Sequence, residues 1–115
     1  MKVCDYAKKL NLTIFSGEGG QQNVIIGGYV SDLLSDVMGN ACEGQLWITL
    51  QTHLNTLAVA SLKEMAAIVL VAGNKPDADT MNKSNEEGIP ILGTSLSCFE
   101  ITGKTYQLLA ENDLV

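Results

Sequence analysis

The chain has 115 residues, and its 13 acidic and 7 basic side chains give a formal net charge of −6. All seven basic residues are lysines, and there is no arginine. Binding to nucleic acid or to an anionic membrane surface requires clustered positive charge, so this composition argues against both functions. Hydrophobic residues make up 46% of the chain, which excludes disorder. The length of 115 residues predicts one domain over residues 1–115.

Short β-like runs alternate with helix-like segments along the chain, a pattern typical of α/β domains. We predict a single three-layer domain in which helices flank a mostly parallel sheet of four or five strands. The predicted helices cover residues 3–10, 33–38, 55–65, 77–87 and 97–112, and the predicted strands cover 12–15, 24–30, 46–50, 67–71 and 89–92. The apolar strand at 67–71 favours a central position, whereas Pro90 favours an edge position for the last strand.

Local signals mark several helix ends. Ser31 or Asp32 can cap the second predicted helix, because both side chains accept hydrogen bonds from free backbone N–H groups. Gly88 suits the left-handed cap that ends the fourth helix. Ser97 stands three residues before Glu100, which is the spacing of a capping box at the start of the last helix.

One tripeptide resembles the end of a phosphate-binding P-loop. The sequence Gly103-Lys104-Thr105 has the right residue types, but Cys98 occupies the position of the first glycine in that motif. The tripeptide also lies inside the predicted last helix, whereas a P-loop follows a strand. We therefore predict no kinase activity.

Three cysteines, Cys4, Cys42 and Cys98, are widely spaced, and His53 is the only histidine. A tetrahedral zinc site needs clustered ligands, so we predict free thiols, no metal and no cofactor. A redox-active or cluster-binding role is the alternative if the three cysteines converge in space.

The amino terminus has no apolar signal core, and we expect a cytoplasmic protein.

Polar residues follow several predicted strands. Ligands of open α/β sheets gather at the carboxyl ends of the strands, where backbone N–H groups at helix starts can hold an anion. A double glycine would also let a ligand approach the backbone. We therefore predict a site for a small polar or nucleotide ligand. Its predicted residues are Gly27, Gly28, Ser31, Asp32, Thr52, His53, Gly73, Asn74, Thr94 and Ser95.

A structural interpretation of the same residues stays open. Ser31, Thr52, Asn55 and Ser95 would then be helix caps, and His53 an exposed loop residue. Catalysis with His53 as general base would need a nucleophile and an orienting group, and the sequence defines neither. We therefore predict no catalytic residue and a non-enzymatic protein.

Asp32 and Asp36 are four residues apart and would share one helix face. Two carboxylates in that arrangement could bind a divalent cation. Acidic residues near a helix start more often stabilise the helix dipole, so we assign no metal to them.

Three runs of sequence resemble the DRTGG domain family. They are IGGYVSDLLSDVM at residues 26–38, GQLWIT at 44–49 and QTH at 51–53. The resemblance extends over nearly the whole chain. The chain is most similar to the small stand-alone members of the family. The run SDLLSDVM is its most specific part.

The resemblance implies a fold like the amino-terminal domain of HPr kinase. It also implies a regulatory role, because DRTGG domains stand beside catalytic or regulatory modules in phosphotransacetylases and CBS-domain pyrophosphatases. Homodimerisation and a nucleotide near the sheet ends are further implications. Some stand-alone relatives are associated with iron hydrogenases, which implies an alternative role as a protein-interaction subunit of a redox system, bound to a partner enzyme without a small ligand.

The signature that names the family is incomplete in this chain. Ile26 stands in place of Thr and the chain has no arginine, so that only Gly27 and Gly28 of the signature remain. An arginine is the side chain best suited to bidentate phosphate contacts. We therefore expect regulation and dimerisation to outweigh nucleotide chemistry, and any anion contacts to come from backbone N–H groups, lysine or His53.

Overall fold

Five helices and five strands follow one another in a computed structural model that describes residues 1–115. The helices are α1 (Val3–Lys9), α2 (Leu34–Asn40), α3 (Leu54–Leu62), α4 (Ala78–Glu87) and α5 (Cys98–Glu111). The strands are β1 (Thr13–Ser16), β2 (Gly27–Val30), β3 (Gln45–Thr49), β4 (Ala67–Leu70) and β5 (Ile91–Gly93). A short 3₁₀ turn at Glu18–Gly20 follows β1. None of the helices is both long enough and apolar enough to span a bilayer.

The five strands form one sheet in the order β1-β5-β4-β3-β2. Strands β2 to β5 are parallel to one another, and β1 pairs antiparallel with β5. The most apolar strand, β4, lies in the middle and is buried along its whole length. The predicted α/β architecture, with a mostly parallel sheet and a central strand at 67–71, is confirmed.

Apolar side chains alternate between the two faces of the sheet and form two separate cores. In β3, Leu46 and Ile48 face one core and Trp47 faces the other. The first core contains residues of α1 and α5, and the second contains residues of α2 and α3, with α4 packed beside α3. Because a strand exposes successive side chains on opposite faces, the sheet has to be covered on both sides, which gives the three layers.

The prediction that Pro90 places the last strand at an edge is wrong. Strand β5 lies between β4 and β1, and Pro90 immediately precedes it. At that position the missing N–H removes no ladder hydrogen bond, while the carbonyl of Pro90 still accepts a 2.9 Å bond from the N–H of Ile68. The strand predicted at 24–30 is also shorter, because Val24 forms only a single bridge with Lys2.

Most of the predicted helix ends agree with the structure. Gly88 ends α4 in the left-handed region at φ +66°, and Ser97 with Glu100 forms the capping box of α5. The capping prediction for α2 is wrong, because Leu33 occupies the N-cap position and no side chain caps that helix. The Ser31 hydroxyl instead accepts a 3.2 Å bond from the N–H of Leu33. The P-loop-like tripeptide lies within α5, as predicted.

We predict that Gly20→Ala strongly destabilises the fold. A Cβ at Gly20 would overlap the carbonyl oxygen of Gly88 and lie 2.6 Å from Cδ of Pro90. Relieving that overlap requires backbone movement, and overpacking of this kind costs about 1–3 kcal/mol or more. Gly19 is the matched control, because nothing lies within 4 Å of an added Cβ there. In urea unfolding, the free energy of unfolding of Gly19→Ala should lie within about 0.5 kcal/mol of the wild-type value. Equal losses of unfolding free energy in both variants would contradict the packing argument.

A second prediction concerns Tyr6, whose hydroxyl lies 2.8 Å from Oγ1 of Thr105 across the first core. Burial raises the pKa of Tyr6 from 10.0 to about 12, against a smaller lowering by the bond to Thr105. The folded chain therefore holds this proton more tightly than the unfolded chain. Its contribution to stability is complete below pH 10 and is lost as the pH rises through 12.

Urea unfolding between pH 9 and pH 12 measures this loss, which we expect to be on the order of 2 kcal/mol. Tyr6→Phe should remove that part of the decline, because phenylalanine does not ionise. Tyr106→Phe, a change at an exposed position, should keep it. A Tyr6→Phe variant with the same pH dependence as the wild type would disprove the assignment.

Candidate functional site

A cleft opens at the carboxyl edge of the sheet because two neighbouring connections leave in opposite directions. Helix α4 follows β4 and packs beside α3, whereas α5 follows β5 and packs over β2 and β3 on the other face. Strands β4 and β5 are adjacent and parallel. In open α/β sheets a crevice of this origin is the usual position of a ligand.

The β4–β5 cleft has a volume of about 430 Å³. This is within the range of roughly 300–1,000 Å³ that small-molecule sites occupy. Since β1 runs antiparallel to β5, its amino end reaches the same edge and contributes to the wall. The residues that line the cleft are Asn11, Thr13, Phe15, Gly73, Asn74, Lys75, Gly93, Thr94 and Ser95.

Lys75 is the only charged residue among those that line the cleft. It is exposed, and it takes part in none of the ion pairs of the structure. The backbone N–H groups of Lys75 and Ser95 donate no hydrogen bond within the chain. The cleft therefore offers one cation and two free backbone donors, which suits an anionic group.

The backbone of the cleft is fixed by hydrogen bonds between the two loops. The N–H of Ala72 donates to the carbonyl of Leu96 at 2.8 Å, and that of Gly73 donates to the carbonyl of Thr94 at 2.9 Å. Ala72 and Gly73 both have positive φ angles, of 55° and 75°. Two consecutive left-handed residues turn the chain sharply after β4. The side-chain amide of Asn74 completes the turn through a 2.7 Å bond to the carbonyl of Val71.

An aromatic ring forms one wall of the cleft. A Cβ at Gly93 would overlap the Phe15 ring, so the ring lies directly over the backbone of β5. Phe15 is half-buried, packs against the second core and lines the cleft. A half-buried aromatic ring in the wall of a cleft can stack on a planar ligand.

His53 lies in a second, smaller pocket of about 280 Å³ at the starts of α3 and α4. Its Nδ1 is 2.8 Å from Oδ2 of Asp77, and both side chains are more than half exposed. These two residues are the N-caps of α3 and α4, but neither side chain caps its helix. They instead pair with each other across the two helix starts. The carbonyl of Thr52 supports this arrangement, because it accepts hydrogen bonds from the N–H of Asp77 and the hydroxyl of Thr80.

Asp32 holds the loop after β3 in place. Its Oδ1 accepts a 2.8 Å bond from the buried hydroxyl of Thr49 and a 2.9 Å bond from the N–H of Leu50. Its carbonyl accepts a 2.9 Å bond from the side-chain amide of Gln51. The carbonyl of the preceding residue, Ser31, accepts a bond from Nε1 of Trp47. Ser31 and Asp32 are therefore already engaged in holding β2 to β3.

Asp32 and Asp36 do not act as a pair, because Asp32 precedes α2 while Asp36 lies within it. The hydroxyls of Ser31 and Tyr29 hold the pKa of the Asp36 carboxyl below its ordinary value. The bond to Asp36 in turn raises the pKa of Tyr29. No group of three or more potential metal ligands occurs in the structure, and the three cysteines are free.

The ten predicted ligand residues thus lie in four places. Four of them, Gly73, Asn74, Thr94 and Ser95, meet in the β4–β5 cleft. His53 lines the second pocket and Thr52 lies beside it, while Ser31 and Asp32 belong to the junction of β2 and β3. Gly27 and Gly28 begin β2 and therefore lie away from its carboxyl end. Gly28 faces Leu109 of α5, 3.8 Å from the position of an added Cβ.

The alternative interpretation as helix caps also differs from the structure. The N-caps of α2 to α5 are Leu33, His53, Asp77 and Ser97. None of the four residues suggested as caps occupies such a position. The five cleft residues that the sequence did not suggest are Asn11, Thr13, Phe15, Lys75 and Gly93. The first three come from β1 and the turn before it, and only the antiparallel pairing brings them to this edge.

Comparison with known proteins gives no match to a family model and none to a curated protein sequence. Among solved structures, the chain is similar to the CBS and DRTGG domains of the regulatory region of Clostridium perfringens pyrophosphatase, in a complex with the activator diadenosine tetraphosphate. The TM-score is 0.67 at 11% sequence identity, and the match covers 88% of this chain and 44% of that one. This likeness supports a DRTGG-like fold, and this chain spans less than half the length of the pyrophosphatase fragment.

We predict that Asp32→Ala lowers the free energy of unfolding by about 1–3 kcal/mol, because the buried Thr49 hydroxyl and the Leu50 N–H lose their acceptor. Asp32→Asn keeps an oxygen at the same position, so it should retain most of the stability. Urea unfolding of both variants tests this. If both substitutions change the free energy of unfolding equally and negligibly, the carboxylate of Asp32 does not hold the loop.

Proposed function

We propose that this protein is a non-enzymatic regulatory module that binds a small anionic ligand of the nucleotide class in the β4–β5 cleft and works as a homodimer. The single observation that carries the ligand assignment is the composition of that cleft. An aromatic ring, an unpaired lysine and two free backbone N–H groups line one cavity of about 430 Å³.

Each part of the cleft matches one part of a mononucleotide. The Phe15 ring can stack on a base, since every base has a π-face and such stacking tolerates different bases. Lys75 and the N–H groups of Lys75 and Ser95 can hold a phosphate. Asn11, Thr13 and Asn74 supply polar groups for a sugar. Because the cleft contains one cation in a chain of net charge −6, we expect one phosphate to bind better than three.

The solved neighbour supports the same ligand class. It is a regulatory region that was crystallised with an activator containing two adenosines. Its ligand is a property of that protein, and here it serves only to select the compounds for the first experiment.

The proposed absence of catalysis rests on the surroundings of His53. Its Nδ1 is paired with Asp77, and the pocket around it is lined by Leu54, Asn55, Asp79 and Thr80 besides that pair. No cysteine or serine stands among these residues, and the hydroxyl of Thr80 donates a 3.0 Å bond to the carbonyl of Thr52. His53 and Asp77 therefore link the starts of α3 and α4 in our interpretation.

Isothermal titration calorimetry against AMP, ADP, ATP, acetyl phosphate and diadenosine tetraphosphate tests the ligand assignment, with adenosine and inorganic phosphate as fragments. We expect AMP to bind more tightly than either fragment. Lys75→Ala should weaken AMP binding by about tenfold to a hundredfold, because a charge-assisted contact contributes about 1.5–3 kcal/mol. Phe15→Leu should weaken adenosine and AMP by similar factors, since it removes the stacking surface.

Lys63→Ala is the matched control for charge, because Lys63 is the C-cap of α3 and lines none of the pockets described here. His53→Ala is the control for position, because His53 lies in the second pocket. Both variants should bind AMP as the wild type does. If no compound of the panel gives a heat of binding at millimolar concentration, the ligand assignment is contradicted. If only His53→Ala loses AMP binding, the site lies in the second pocket.

A second candidate is a protein-interaction subunit that binds a partner enzyme without a small ligand. The observation that favours it is the set of exposed aromatic residues on α5, where Phe99 is 88% and Tyr106 is 63% exposed. A monomeric chain that gives no heat of binding with any of the compounds would favour this candidate over the first.

A further inference from the structure

A bulge in strand β1 sets the position of Phe15. Ile14 pairs with Leu92 of β5 and Ser16 pairs with Ile91, so Phe15 is an extra residue with no partner across the two strands. A bulge of this kind changes the direction of a side chain and is common beside active sites. The bulge therefore distinguishes Phe15 from the other residues of this edge strand.

Ser16 holds the bulge in place. It is buried, and its hydroxyl donates a 2.9 Å bond to Oγ of Ser84 in α4. Ser84 in turn donates a 2.6 Å bond to the carbonyl of Ile89. Because paired residues lie on the same face of a sheet, Ser16 lies on the face of Ile91, which belongs to the second core. The small side chain of Ser16 thus takes the place opposite Ile91, and the ring of Phe15 extends toward the next residue of β5 on that face.

That next residue is Gly93, which provides the space for the ring. Gly93 follows Ile91 by two residues in β5 and therefore lies on the same face of the sheet. An added Cβ at Gly93 would overlap the Phe15 ring and would lie 2.8 Å from its Cζ. Glycine within a strand often marks a place where another group approaches the backbone closely. The absence of a side chain at Gly93 thus allows the ring to lie against β5 at the wall of the cleft.

Packing of the second core alone does not account for this arrangement. Phe15 is only half-buried, and both it and Gly93 line the β4–β5 cleft. An aliphatic pair of the same total volume would cover this part of β5 as well, because cores tolerate swaps that conserve volume. What a ring adds is a planar π-surface at the cleft.

The ring would contact a part of the ligand that the anion-binding groups do not. In the proposed function, Lys75 and the N–H groups of Lys75 and Ser95 hold the phosphate, and these contacts are the same for any phosphate ester. Phe15 meets only the base, because stacking needs a planar π-system. Specificity is a difference between two affinities, and here it depends on a contact that a sugar phosphate cannot make.

We propose that Gly93, together with the bulge at Phe15, makes the β4–β5 cleft selective for nucleotides over sugar phosphates. Gly93 is a positioning residue, because it acts on the ligand through the ring of Phe15. The inference rests on the ligand assignment of the proposed function. It adds the class of compound that the cleft discriminates against and the residue that sets this discrimination.

Isothermal titration calorimetry with AMP and ribose 5-phosphate measures this selectivity, because the two ligands share the sugar and the phosphate and differ in the base. We expect the wild type to bind AMP at least about tenfold more tightly than ribose 5-phosphate, which corresponds to one stacking contact. Gly93→Ala should lower that ratio by about tenfold, since the added methyl group displaces the ring. Its affinity for ribose 5-phosphate should not change.

Three further variants serve as controls for Gly93→Ala. Gly28→Ala makes the same change in strand β2, where the nearest atom lies 3.8 Å from the added Cβ, so it should keep the wild-type ratio. Phe15→Leu should lower the ratio as Gly93→Ala does. Lys75→Ala should weaken the binding of both ligands by the same factor and leave their ratio unchanged.

The double variant Gly93→Ala/Phe15→Leu covers the case in which Gly93→Ala does not fold. Leucine lacks Cε2 and Cζ, the two ring atoms nearest to an added Cβ at Gly93, so the double variant should fold in a urea-unfolding assay. Its ratio of affinities should equal that of Phe15→Leu, because an absent ring cannot be displaced. A double variant that fails to fold would show that Gly93 accommodates something other than the ring, and would overturn the inference.

The remaining outcomes separate this inference from the proposed function. If Gly93→Ala folds and keeps the wild-type ratio, or loses both ligands equally, the role assigned to Gly93 is wrong and the ligand assignment stands. A wild type that binds AMP and ribose 5-phosphate equally well overturns the selectivity but leaves an anion site in the cleft. A wild type that binds neither compound contradicts the ligand assignment itself, and this inference with it.

Discussion

The burial of β4 on both faces is the constraint from which the rest of this structure follows. All four of its residues are buried, and its side chains alternate between the two cores. A strand of this kind needs a layer of helices on each side of the sheet. The helices after β2, β3 and β4 cover one face, so the other has to be covered by α1 and by the helix after β5. That division makes α4 and α5 diverge, and the divergence opens the β4–β5 cleft.

Most polar residues near the carboxyl edge contribute to the fold itself. Asp32 fixes the loop after β3 through two bonds to its Oδ1, and His53 pairs with Asp77 between two helix starts. What distinguishes the β4–β5 cleft is that Lys75, the one charged residue that lines it, has no ion-pair partner. Groups that are still free to bind, rather than polar groups in general, identify the better candidate site.

The cleft is connected to α5 by a short segment of chain. Thr94 and Ser95 line the cleft, and the capping box of Ser97 begins α5 two residues later. Hydrogen bonds from Ala72 and Gly73 tie this segment to the loop after β4. A ligand in the cleft would thus lie close to the beginning of α5.

The sequence by itself determined the layer architecture, the central strand and most helix ends, because these follow from apolar periodicity and from local signals such as Gly88 and Ser97. It also predicted the four cleft residues that lie in the loops after β4 and β5. Tertiary structure decided the rest. Pro90 precedes an inner strand, the antiparallel pairing of β1 brings Phe15 to the cleft, and Gly27 and Gly28 lie away from it. Such facts depend on which strands become neighbours, and neighbour relations are set by packing across the whole sheet rather than by any local run of residues. The absence of arginine in an acidic chain, in contrast, is a fact of composition, and it makes Lys75 the one side-chain cation of the proposed site.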